Sequence, residues 1–106
     1  MRILKFIVNK RNIVCDPKSN FSGIAPGTDE QLIADFRFSS EWDDTTKVVA
    51  FFNADGECPP QTLTDGYYCV IPPEALKAHW FRLQVLGKTN KTMIKTNVMT
   101  VLQDGR

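Results

Sequence analysis

Residues 31–38 place Leu32, Ala34, Phe36 and Phe38 on one set of alternating positions, with Asp35 and Arg37 on the other. A period of two places successive side chains on opposite sides of an extended backbone, so this stretch predicts a half-buried strand. The same period runs through residues 2–8, with Leu4, Phe6 and Val8 in phase, and through "WFRLQVLG", where Phe81, Leu83 and Val85 alternate with Arg82 and Gln84. "TKVVAFF" and "YYCVI" are continuous apolar runs of strand length, and "KTMIKTNVMTVL" is rich in β-branched residues that suit a pleated surface better than a helix.

The separators carry turn chemistry. "CDPKSN", "GIAPGTDE", "NADGECPP", "LTDGYY" and "GKTNKT" supply the Asp-Gly, Pro and Gly that tight turns require. Short strands at this spacing predict an all-β fold, an immunoglobulin-like antiparallel β-sandwich of about seven strands. Only "PPEALKAH" departs from the pattern, because proline at a first helical position before Glu-Ala-Leu starts one short helical turn, over residues 73–79. A chain of 106 residues builds one core, so residues 1–106 read as a single domain. Within it, residues 1–27 form an N-terminal strand and loop, and 28–106 the sandwich core. The non-periodic stretch 16–28 is a loop that can also act as a hinge for exchange of the first strand between copies.

Several functions find no support in the residues. There is no GxSxG, HExxH, P-loop or GxGxxG pattern, and His79 is the only histidine, so an enzyme is not expected. Cys15, Cys58 and Cys69 lack metal or disulfide spacing and read as simple thiols, with Cys69 buried in its strand; no metal or cofactor is expected. Adjacent acids at Glu41, Asp43 and Asp44 cannot face one another across about 5–9 Å as glycoside hydrolysis needs, and they read as solvated turn charges. His79 reads as a helix-end residue whose neighbour Trp80 packs in the core. The first ten residues lack a secretory pattern and no apolar run reaches the roughly 18–20 residues of a membrane helix, so a soluble protein made in the cytoplasm is expected. Without a secretory signal, the sequons at Asn20 and Asn90 carry no meaning.

Net charge is +1, unevenly distributed as +4 over residues 1–27, −8 over 28–76 and +5 over 77–106. The split basic ends and acidic centre do not make a nucleic-acid footprint. They suit strands of opposite sign lying side by side in one molecule, or a module that meets a copy of itself or another protein basic edge to acidic edge.

Taken in order, "FRFSSEWDDTTKVVAFF", "TDGYYCVIPPEAL" and "FRLQVLGKTNKTMIKTNVMTVLQDG" resemble a pattern of phages and prophages of Gram-positive bacteria, the N-terminal β-sandwich modules of tail, baseplate and minor structural proteins. Trp42, Cys69, Pro72, Leu76, Gly87, Thr96 and Asn97 carry the resemblance, which covers about residues 30–105 and includes no catalytic residue. It implies a virion-associated structural or adaptor module that acts through protein contacts and is made in the host cytoplasm. Ending at residue 106, without a collagen-like, coiled-coil or receptor-binding extension, the chain reads as a free-standing accessory protein more than a fibre. The resemblance also bears on Trp42, which would plug one end of the sandwich with its indole N–H on a backbone carbonyl. The competing reading makes Trp42, Tyr67 and Tyr68 a platform for a partner or a host-surface glycan, in the manner of a small carbohydrate-binding module. Assembly is expected through an exposed first strand, with Leu4 and Phe6 buried against a second copy.

Overall fold

A computed structural model describes residues 2–19, 31–77 and 80–102. The strands are β1 (Arg2–Asn9), β2 (Asn12–Cys15), β3 (Leu32–Phe38), β4 (Thr46–Asn53), β5 (Gly56–Glu57), β6 (Gln61–Thr62), β7 (Tyr68–Val70), β8 (Trp80–Lys88), β9 (Met93–Lys95) and β10 (Met99–Leu102). They form two stacked sheets. The first has the order β2-β1-β3-β7; in the second, β4 and β8 are central, with β5 and β6 on the free side of β4 and β9 and β10 on the free side of β8. The all-β sandwich expected from the alternation is the fold of the chain, with more strands than seven because several are only two or three residues long.

One pairing departs from the antiparallel expectation. β1 and β3 run parallel over seven register pairs, from Arg2 opposite Leu32 to Val8 opposite Phe38. Alternation fixes which side of a strand faces inward but not the direction of its neighbour. A parallel pair needs a connection of roughly a dozen residues or more, which the segment between Cys15 and Leu32 supplies. Residues 20–28 of the expected hinge loop lie outside the described residues. The expected helical turn is a 3-10 turn at Pro73–Leu76, and its far end, 78–79, also lies outside them.

The alternating residues meet between the sheets. Leu4, Phe6, Val8, Ile13, Leu32, Ala34 and Phe36 face Val49, Phe51, Phe81, Leu83, Val85 and Val101, all buried. A ladder of rings crosses this interior: Phe6 stacks on Phe36 at 5.1 Å, Phe36 on Phe38 at 5.9 Å, and Phe38 packs on Trp42 at 5.2 Å.

Leu4 and Phe6 are 0% and 1% exposed and belong to this core, on a strand paired on both sides. The expectation that they line an assembly edge is therefore corrected: β1 is an interior strand, and its apolar face is spent within its own chain. The edges are β2 and β7, and both are blunted. On β2, the side chain of Asn97 accepts from the Ile13 N–H at 2.9 Å, while its own N–H donates to the Arg11 carbonyl at 3.2 Å. One residue from the β9–β10 connection thus supplies the donor and acceptor of a missing neighbour strand. On β7, Thr64 exchanges hydrogen bonds with Tyr68, and Pro72 and Pro73 follow at once, without N–H groups to offer.

Asn97→Ala removes the acceptor of a partly buried N–H and is expected to lower stability by about 1–2 kcal/mol. Asn97→Asp keeps a side-chain oxygen there and should recover part of the loss. Chemical denaturation of the three proteins, with slopes compared, separates the lost hydrogen bond from lost packing.

Candidate binding surfaces

The corner raised by "SSEWDD" is built around Trp42. After β3 the backbone turns through a 3-10 turn at Ser40–Trp42 and returns into β4 through Asp44, which adopts φ 61°. Trp42 is 0% exposed. Its Nε1–H donates to the Lys10 carbonyl at 2.6 Å, the Thr45 hydroxyl donates to the Trp42 carbonyl at 2.7 Å, and the six-membered ring of Trp42 lies over Gly87. The plug reading holds, including the backbone carbonyl as partner of the indole. The reading of Trp42 as a ligand platform is corrected, since a ring with no exposed surface can touch no ligand.

The same corner clamps the β1–β2 hairpin. Lys10 sits in the two-residue turn with φ 58°, a conformation that non-glycine residues rarely adopt. Its N–H donates to the Ser39 hydroxyl at 2.8 Å while its carbonyl receives the Trp42 indole. Glu41, Asp43 and Asp44 are exposed, as solvated turn charges should be. Hydrogen bonds from the Ser39 hydroxyl and from its own backbone, with Lys10 nearby, hold the Glu41 carboxyl below the usual range.

Tyr67 and Tyr68 belong to a different part of the molecule. Asp65 (φ 52°) and Gly66 (φ 81°) shape the tight turn before β7, and the Phe36 N–H donates to the Tyr67 carbonyl at 2.7 Å. Tyr67 is 45% exposed and Tyr68 half-buried, with ring centroids 5.1 Å apart and planes tilted by 58°. The structure leaves the two tyrosines as a surface pair and removes the tryptophan from their company.

Further surface features, not expected from the sequence, lie on the outward sides of the two sheets. Across the first sheet, Ile3, Ile33 and Val70 stand in register on adjacent strands, and Ile7 stands beside Val14. Ile3 is 46%, Val14 48% and Val70 39% exposed. The second sheet carries two shallow hollows. One, of about 610 Å³, has a floor of Val48, Leu86 and Met93 and a rim that includes Asp44 and Lys88. The other, of about 290 Å³, is lined by Phe52, Asn53, Gly56, Trp80, Arg82 and Val98. Trp80, expected in the core, is half-buried and faces outward, with the Arg82 guanidinium 4.9 Å from its ring centre and the Arg82 Nε–H on the Thr100 hydroxyl at 3.2 Å. The signal for these faces was present in the off-phase positions of the strands, where Ile3, Ile7, Ile33, Val70 and Leu86 stand in place of the polar residues that a solvated face prefers.

The thiols are held protonated by burial, which raises Cys15, raises Cys58 with help from Glu74 and Glu57, and pushes Cys69 up to about 12. Among the described residues no group of three or more His, Cys, Asp or Glu side chains is placed to hold a metal ion, and no helix is long and apolar enough to cross a membrane.

No protein-family profile matches this chain, and no curated protein matches it. Among solved structures it is similar to the N-terminal domain of phage TP901-1 ORF48, with a TM-score of 0.56 and 6% identity, over 98% of this chain and 99% of that one. The likeness is one of fold, across nearly the full length of both.

Proposed function

We propose that the chain is a non-catalytic structural or adaptor module of a phage or prophage particle, of the tail or baseplate type, that works by packing against other proteins. The observation that carries this reading is the apolar character of both outward sheet faces. An antiparallel sandwich that stands alone in water usually keeps its outer positions polar, whereas here isoleucine, valine, leucine and tryptophan recur at them. The full-length likeness in fold to a phage protein domain and the ordered motif from Trp42 to Asn97 support the viral setting.

A glycan-binding role has less to draw on. Tyr67 is left without Trp42, its ring is tilted against Tyr68, and the outward Trp80 ring is stacked by Arg82. None of these presents the flat, open aromatic face on which a sugar ring stacks.

Purified particles induced from the source strain are expected to contain this chain at a fixed stoichiometry to other structural proteins, as measured by quantitative mass spectrometry. Its absence from particles, with abundant protein left in the lysate, would overturn the proposal.

A further inference from the structure

The outward face of the β2-β1-β3-β7 sheet is flat and apolar, with charges arranged in a way that selects a partner. One register row is Ile3, Ile33 and Val70; a second, two residues along, is Lys5, Asp35 and Tyr68; a third is Val14, Ile7 and Arg37. Apolar side chains therefore dominate two rows. The charges on these rows are one carboxylate, Asp35, with Lys5 opposite it on β1 and Arg37 two residues on along β3. A surface that is apolar and also offers a cation to Asp35 and a carboxylate to Arg37 suits such a face. The face itself meets that description.

We infer that this face packs on the same face of a second copy of the chain, about a two-fold axis that sets the Asp35 of each copy against the Arg37 of the other, with Ile3, Ile33 and Val70 buried between. The arrangement closes on itself, since each copy supplies both halves of each charge pair. An Arg–carboxylate pair can be bidentate, and Lys5 can carry its ammonium to the rim on its long stem. Both blunted edges of this sheet, β2 and β7, argue for contact through the face and against growth by strand addition.

Size sets the strength. The strands, of eight, four, seven and three residues in β1, β2, β3 and β7, make a face of roughly 350 Å² at about 3.3 Å per residue and about 4.8 Å per strand, so a dimer covers roughly 700 Å² in plan, the size of a weak, transient contact. A weak dimer follows, with a dissociation constant on the order of tens of micromolar.

This inference rests on the proposed role in protein packing, and its test is independent of that role. Sedimentation velocity from roughly 1 to 300 µM is expected to show a reversible monomer–dimer equilibrium. The doubly substituted Ile3→Lys/Val70→Lys protein changes only exposed positions and should stay monomeric throughout, with an unchanged circular dichroism spectrum. Asp35→Arg and Arg37→Asp should each weaken the dimer by about tenfold or more, and their combination should restore it. A wild-type monomer at every concentration, or a dimer that neither the lysine pair nor the charge reversals weaken, would overturn the inference. Monomeric protein that is nonetheless found in particles would leave the proposed function standing and remove only this dimer.

Discussion

Trp42→Ala is expected to lower stability by about 3–5 kcal/mol, the range for a large aromatic side chain deleted from a packed interior. Three separate losses combine. The ring is fully buried between Phe38 and Gly87, so its removal leaves a cavity at the end of the aromatic ladder. The Lys10 carbonyl loses the indole N–H that reaches it at 2.6 Å. Lys10, at φ 58°, is then held in its unfavourable conformation by Ser39 alone among the contacts of this corner. Thermal and denaturant unfolding of the mutant should show the full drop, and hydrogen exchange should locate the earliest opening in the β1–β2 hairpin. A loss under about 1 kcal/mol would mean that the ring is not the plug described here.

Gly87→Ala comes next, with an expected loss of about 1–3 kcal/mol from overpacking. Gly87 lies inside a central strand, paired with Lys47 on one side and Ile94 on the other, where glycine is ordinarily a poor choice. A Cβ built there meets two carbons of the Trp42 ring at 2.8 Å and the Thr45 hydroxyl at 3.1 Å. The ring cannot swing aside without giving up Lys10 and Phe38, so the strain has no inexpensive outlet. The effect should be coupled: in a Trp42→Ala background the same methyl enters the vacated space, and Gly87→Ala should cost little or even stabilise. A double-mutant cycle by denaturant unfolding measures the coupling, expected to exceed about 1 kcal/mol. Additive losses would show that Gly87 is retained for some reason other than the ring above it.

These two residues stand 45 positions apart in the chain and both belong to the ordered motif seen in the sequence. Their contact gives this part of the pattern a structural role with no chemistry attached to it. Asn97 gives the same lesson beside that corner, where its N–H donates to the Arg11 carbonyl next to Lys10 and its side chain completes the edge of β2. The neighbouring Thr96 hydroxyl accepts from the Val85 N–H at 3.1 Å, donates to the Asn97 carbonyl at 2.8 Å, and so holds Asn97 in place. Trp42, Gly87 and Asn97 are joints between the two sheets.

Strand alternation and turn residues were legible in the chain because each depends on neighbours within a few positions. Leu4, Phe6 and Val8, or Leu32, Ala34 and Phe36, had to share a face whatever the topology, since the backbone period is two. The ordered motif suggested a plug at Trp42 without excluding a platform, and the structure decides between them: the ring is buried and its N–H reaches the Lys10 carbonyl. What only the tertiary structure decided is everything that depends on which segments meet. The direction of β3 beside β1 is a matter of long-range pairing, and the long stretch of sequence between them carries no period to read. Because β3 and β2 flank β1, Leu4 and Phe6 became interior to one chain and unavailable as an edge. The outward rows of isoleucine and valine become a continuous face only when β1, β3 and β7 align in register. Trp80 and Asn97 follow the same rule: the phase of β8 relative to the core turned one outward, and the stacking of the two sheets brought the other to an open strand edge. Local periodicity assigns a residue to a side; the long-range pairing of strands determines what waits on that side.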